Sequence, residues 1–138
     1  MGNLRIIRMT NRDDAFYGTM GPFLSRRAIV KELGYPVWDD DEKLWWVALD
    51  GDDVRGWCAA RPERLKVVLT SAYVLPEHRR HGVYRALFGD RLCAMVRGFA
   101  PLPIESTVTV MSAPLFEQNG FTRVRTRGHY TLYRLEFA

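Results

Sequence analysis

Residues 67–96 read VVLTSAYVLPEHRRHGVYRALFGDRLCAMV. The run opens as a strand over residues 67–74, rich in β-branched and aromatic residues and nearly free of charge. A proline and a basic turn follow, Pro76-Glu77-His78-Arg79-Arg80-His81-Gly82. A helix is predicted from Val83 to about Val96, because Tyr84, Phe88, Leu92 and Met95 or Val96 recur at three- and four-residue steps.

This order has a chemical use. The free backbone N–H groups of a helix start, with the positive end of its dipole, attract an anion. Arg79, Arg80 and Arg85 add fixed positive charge around that start, and Gly82 lets a ligand approach the backbone closely. The stretch therefore reads as a pyrophosphate cradle, although neither GxxxxGK[ST] nor GxGxxG is present.

Working outward, the 138 residues suit one domain with a single core, predicted to span 1–138. The chain is 47% hydrophobic and 26% charged, the balance of a globular protein in water. No apolar run approaches the roughly 20 residues of a membrane helix, so no membrane partner is expected. The start, MGNLRIIRMT, lacks the apolar block of a secretory leader, and Ile6 stands where a myristoylation signal needs Ser or Thr. Cys58 and Cys93 read as free thiols of a reducing compartment, which places the protein in the cytoplasm; they form no metal motif. The net charge of +4 suits an anionic ligand, and would equally suit nucleic acid.

On the N-terminal side, residues 4–9 read as a strand, and Thr10 to Asp14 as a capped turn. Two short helices are expected over roughly 13–20 and 23–33, broken at Gly21-Pro22, with Ser25 to Leu33 the firmer part. A loop rich in aromatics and acids covers residues 34–42; within it Tyr35, Trp38 and Asp39 are candidates to meet a cationic substrate. Strands follow at 44–49 and 54–60, joined by an Asp50-Gly51 hairpin turn. Short turns make these and the strand at 67–74 sequentially antiparallel.

On the C-terminal side, Gly98 and Pro101-Leu102-Pro103 end the central helix. A fifth strand is expected at 104–110, parallel to the fourth because a helix joins them. Ser112 caps a short helix that ends before Gly120, and strands at 121–126 and 129–137 finish the chain. Arg123, Arg125 and Arg127 alternate, so their side chains are expected on one face.

Two local motifs carry a family resemblance. After Val74-Leu75-Pro76-Glu77-His78, the run Arg79-Arg80-His81-Gly82-Val83-Tyr84 resembles the Arg/Gln-x-x-Gly-x-Gly/Ala loop of the GNAT superfamily of N-acetyltransferases, except that Tyr84 replaces a small residue. Leu115-Phe116-Glu117-Gln118-Asn119-Gly120-Phe121 resembles the Leu-Tyr-Glu-x-x-Gly-Phe run that closes the family's last helix. The order of elements is that of the family from end to end: strand, two helices, three strands, helix, strand, short helix, two strands. The resemblance implies an α/β (α+β) fold, a mixed, mainly antiparallel sheet of about seven strands with about four helices.

The resemblance also implies a function: transfer of an acetyl group from acetyl-CoA to a primary amine by direct attack on the thioester. The coenzyme A pyrophosphate would meet Arg79, Arg80, His81, Gly82, Val83, Tyr84 and Arg85. The pantetheine arm would lie between the fourth and fifth strands, along Ala72, Tyr73 and Val74, with Phe116 beside it. The family's usual proton donor to the leaving thiolate is a tyrosine at the Phe116 position, which phenylalanine cannot replace. Tyr73, Tyr84 and Tyr130 are candidate substitutes. For the base, Glu105 on the fifth strand is a candidate, with Ser71 and Ser106 on the two central strands; water relayed by Ser71, or an acid of the 39–41 loop, is the alternative. The acceptor is expected to be a small-molecule or peptide amine, and a homodimer is compatible with the family. Two other functions fit the same residues: a relative acting on nucleic acid, either a modified base or an aminoacyl-tRNA, and a catalytically weak coenzyme A-binding module.

Overall fold

Strand β1 (Leu4–Met9) leads into α1 (Phe16–Leu24) and α2 (Arg27–Leu33). Then come β2 (Leu44–Asp50), β3 (Asp53–Pro62) and β4 (Val67–Val74). One short 3-10 turn at Pro76–His78 precedes α3 (Val83–Phe99), followed by β5 (Ile104–Thr109), α4 (Ala113–Gln118), β6 (Thr122–Arg127) and β7 (Tyr130–Leu135). The computed structural model describes residues 3–24 and 26–137; Met1, Gly2, Ser25 and Ala138, including the predicted helical Ser25 and the Gly2 of the myristoylation reading, lie outside the described residues. The expected order of strands and helices is present.

The seven strands form one sheet in the order β1-β2-β3-β4-β5-β7-β6. All neighbours are antiparallel except β4 and β5, which run parallel as the helical crossover requires. Helices cover both faces, which is why β2 reads as a continuous apolar run rather than an alternating one. Trp45 turns to the side of α1 and α2, where it packs with Phe16, Met20 and Ile29. Trp46 turns to the opposite side, where Leu87, Phe88, Met95 and Phe116 fill the core under α3 and α4.

Three expectations need correction. The first concerns α1, which runs through Gly21-Pro22 to Leu24 instead of stopping there; Arg26, just before α2, is extended. Proline removes one helical hydrogen bond, but Phe16 and Met20 are one turn apart and fully buried, and this burial holds the helix together. The second concerns the buried stripe of α3, which is Val83, Leu87, Arg91 and Met95 with Phe88; Tyr84 and Leu92 are only half-buried. The third concerns β6. Its register against β7 shifts between Arg123 and Arg125, so Arg123 stands opposite Tyr133 while Arg125 stands opposite Leu132. Successive β7 residues face opposite ways, so Arg123 leaves the face that Arg125 and Arg127 share. It turns instead toward Glu117 of α4, 3.6 Å away.

The centre of the sheet is shaped by two irregularities in β4. Gly56 of β3 lies so close to it that an added Cβ would sit 2.7 Å from the Tyr73 carbonyl oxygen and 3.1 Å from the Val74 Cα. Gly56→Ala is therefore expected to push β3 off β4 and to cost about 1–3 kcal/mol, read as a lower urea midpoint with unchanged m value. Beyond Gly56 the β3–β4 register slips, leaving Cys58 opposite both Ser71 and Ala72. Ser71 takes φ +60, the left-handed conformation that lets the extra residue bulge out.

Candidate active site

The site begins where β4 and β5 part. They pair only at Val67–Ile104 and Val68–Glu105 and diverge beyond. Past Val68, among the described residues, β4 has no strand paired with it on the β5 side. Its edge there borders a cavity of about 950 Å³ that runs from the amino end of α3 down between the two strands. Among the lining residues are Thr70 to Val74 of β4, Ser106 to Thr109 of β5, Phe116 of α4, Tyr35 of the loop after α2 and Tyr130 at the start of β7.

At the upper end, α3 starts without a capping side chain, at a Gly82 with φ +82. A Cβ at Gly82 would meet nothing within 4 Å, so the approach to the first-turn N–H groups is open. Arg80 also holds a positive φ, +68, in the turn before the helix. Arg79, Arg80, Gly82, Val83, Tyr84 and Arg85 all line the cavity, as do Ala72, Tyr73, Val74 and Phe116. His81 does not; it faces a smaller neighbouring recess with Arg55, Glu77 and His78.

The charges of this loop are not all available. Arg79 donates through Nε to the Val74 carbonyl at 2.9 Å and through Nη1 to Glu32 at 2.7 Å. Glu32 also accepts from the Tyr73 hydroxyl at 2.7 Å. These two hydrogen bonds, that of Arg79 the larger, hold the Glu32 carboxyl below its ordinary range. Burial first, and the carboxylate second, push Tyr73 up to about 12, so it keeps its proton at working pH. Glu32 ties α2 to β4 and to the turn that carries Arg79. The sequence reading missed it because it looks like one more solvated helix acid.

The candidate acid–base residues are distributed unevenly. Ser71 lines the cavity at the bulge, with Thr70 Oγ1 3.3 Å from its Oγ. Behind it stands Lys43, 4% exposed, which donates to Ser71 Oγ at 3.0 Å and to the Trp38 carbonyl. Burial lowers the Lys43 pKa, against the opposing pull of Asp40. Ser106 donates to the Leu69 carbonyl at 3.0 Å and helps define the gap. Glu105, the candidate base, lies at the paired end of β5 and outside the cavity lining. Its carboxylate is held by Arg134 at 2.7 Å and Lys66 at 3.1 Å. Burial would raise its pKa, but these two cations outweigh it and the net direction is down. Its place outside the cavity lining and its two cations argue against a poised base.

The Glu105 ion pairs have a pH signature. A depressed folded pKa gives stability that is complete above the unfolded carboxylate value, about 4.3, and lost as pH falls through the folded value. Glu105→Gln is expected to melt below the wild type at pH 7. The gap should close as pH is lowered from about 4 toward 2.

Of the substrate candidates, Tyr35 lines the cavity mouth; Trp38 is 67% exposed and Asp39 accepts from the Tyr17 hydroxyl, neither within the lining. Phe116 is buried against Phe88 at 4.9 Å and Phe121 at 4.9 Å, and its ring edges the cavity. One lining residue stands apart: Arg91, on the buried stripe of α3 and 1% exposed.

An open slot beside a central strand, under a bare helix start, has the free backbone groups and the shape to receive an extended anionic ligand. Three solved structures share the fold. Escherichia coli ElaA is 12% identical with a TM-score of 0.77, covering 97% of this chain and 100% of its own. The PaiA N-acetyltransferase of Thermoplasma acidophilum, in complex with coenzyme A, is 13% identical with a TM-score of 0.65, covering 98% and 99%. A GNAT family acetyltransferase of Elizabethkingia anophelis with acetyl-CoA bound is 14% identical with a TM-score of 0.62, covering 98% and 99%. No curated protein matches the sequence. Residues 10–91 match the Acetyltransferase (GNAT) family, and the chain belongs to that family. Among the described residues no helix is long and apolar enough to cross a membrane.

Proposed function

We propose that this protein is an N-acetyltransferase that moves an acetyl group from acetyl-CoA to a primary amine of a small molecule or peptide. The observation that carries this is the slot between β4 and β5, opening directly under the uncapped start of α3. The residues present fit coenzyme A. The first-turn N–H groups of Val83, Tyr84 and Arg85, with the Arg80 and Arg85 cations, would hold the pyrophosphate. The free edge of β4 at Ala72 to Val74 would pair with the pantetheine amides as a neighbouring strand would. Tyr84 leaves its backbone N–H in place while its ring covers the cavity wall beside Phe88, 6.2 Å away.

The thioester supplies an activated acyl carbon, and the chain supplies position. A β4 N–H released by the bulge at Ser71 can stabilise the oxyanion formed as the amine attacks. Glu32 is the one carboxylate among the described lining residues, and both its oxygens are occupied. Its charge is matched by Arg79, so it orders the loop and Tyr73 and leaves proton removal to water near Ser71. Tyr35 and Tyr130, about 40% exposed at the mouth, offer aromatic faces to a cationic amine. The alternative acceptor, nucleic acid, loses support because the β6 irregularity splits the arginine row. A cytoplasmic location agrees with the free thiols of Cys58 and Cys93.

The test is calorimetric titration with acetyl-CoA, followed by a free-thiol assay over a panel of amines. Tight binding with amine-dependent thiol release is expected. Binding without release over the whole panel would leave a coenzyme A-binding module, and no binding would remove the reading altogether.

A further inference from the structure

Arg91 is a cation in the core. It lies eight residues after Val83, about 12 Å down the axis of α3. Thr70 lies four residues before Val74, about 13 Å down β4. The two therefore stand level, at the deep end of the cavity that both line. Arg91 Nη1 donates to the Ala59 carbonyl at 3.1 Å and the Thr70 carbonyl at 3.4 Å, groups that flank the β4 bulge. Its Nε is buried without a partner, and its guanidinium carbon lies 5.8 Å from the Phe88 ring. Among the described residues no carboxylate pairs with it. An arginine keeps its charge in a protein interior, so this site is electrostatically incomplete until an anion arrives.

The second observation is independent. Phe116, packed on Phe88, has no proton to give, and the Tyr73 hydroxyl is directed to Glu32. Neither of these two side chains can hand a proton to a thiolate expelled here, and Tyr84 lies seven residues, about 10 Å, up the axis of α3 from Arg91.

Building on the transferase reading above, we propose that Arg91 receives the leaving thiolate of coenzyme A and stabilises it as an ion, in place of a proton donor. The amine nitrogen forms a bond to the acyl carbon, the carbon–sulfur bond breaks, and its electron pair stays on sulfur beside the guanidinium. The ammonium proton goes to water, and the thiolate takes a proton only on release. The sum is amide, thiolate and one proton from amine and thioester.

The test reads coenzyme A bound to the protein, by ultraviolet absorbance of its thiolate as pH is raised. In the wild-type complex the thiol should ionise at lower pH than in free coenzyme A, giving about tenfold more thiolate at a given pH. Arg91→Met should abolish this difference and Arg91→Lys should keep part of it. Turnover should fall in Arg91→Met and recover in part in Arg91→Met/Phe116→Tyr, which supplies a proton donor; a merely structural arginine would not be rescued that way. The wild-type titration stands even if Arg91→Met fails to fold. A bound thiol that titrates like the free one overturns the proposal, as does a shift that survives in Arg91→Met. A strong preference for succinyl-CoA over acetyl-CoA, lost in Arg91→Met, also overturns it, because the cation would then read a carboxylate on the acyl chain. Failure to bind coenzyme A at all would instead refute the transferase reading.

Discussion

Gly82→Asp is expected to weaken coenzyme A binding about 100-fold or more, equivalent to about 3 kcal/mol. Gly82 holds φ +82 at the first turn of α3, a conformation that costs an ordinary residue about 1–3 kcal/mol. Any side chain there projects into open space, since a Cβ meets nothing within 4 Å. That space is where a pyrophosphate would approach the N–H groups of Val83 to Arg85. The aspartate adds a negative charge at this point, and its carboxylate can cap the free N–H groups itself. The variant should therefore fold while its anion site is closed from within. Gly82→Ala separates the contributions: it carries the backbone strain without the charge and should lose about tenfold. Calorimetry on the three proteins reads both numbers, and equal affinity in all three would detach this loop from coenzyme A.

Phe88→Ala should produce the largest loss of stability, about 3–5 kcal/mol. Phe88 is 1% exposed and touches three rings at once: Phe116 at 4.9 Å, Tyr84 at 6.2 Å and Phe121 at 6.3 Å, all edge-on. It joins the first turns of α3 to α4, so both walls of the slot depend on it. Truncation removes the edge-to-face contacts and leaves a void that the strand behind it cannot fill. Urea unfolding should show the reduced midpoint. A loss under about 1 kcal/mol would mean that α4 is held elsewhere.

The strand, turn and helix at the centre were legible in the sequence because each rests on local chemistry. A β-branched run, a proline, a glycine and a three-four periodicity all act within a few residues. Helix α1 was harder, since the burial of Phe16 and Met20 outweighs the stop signal of Pro22, and burial is not local. The row of arginines in β6 was misread for a related reason: one added residue against β7 turns Arg123 to the other face, and no residue type announces that slip. Glu105 looked like a carboxylate stranded on an apolar strand. Its two cations come from positions 39 residues earlier and 29 residues later in the chain. Arg91 left a signal that was overlooked. Val83, Leu87, Arg91 and Met95 repeat every fourth residue, and a charge inside an otherwise apolar stripe marks an unusual burial. Glu32 and Lys43 left none, because each is defined by partners on other elements.

The seam between β4 and β5 is two residue pairs long, and on either side of it the sheet is a separate antiparallel sheet of several strands. A donor molecule laid into the slot would act as a stitch, bridging strands that the polypeptide itself barely joins. Its occupancy would then be counted in the free energy of unfolding, by about 2.7 kcal/mol when donor stands at 100 times its dissociation constant. On this view the protein's resistance to heat and to proteases rises and falls with the supply of acyl donor, and starvation for that donor would shorten its life.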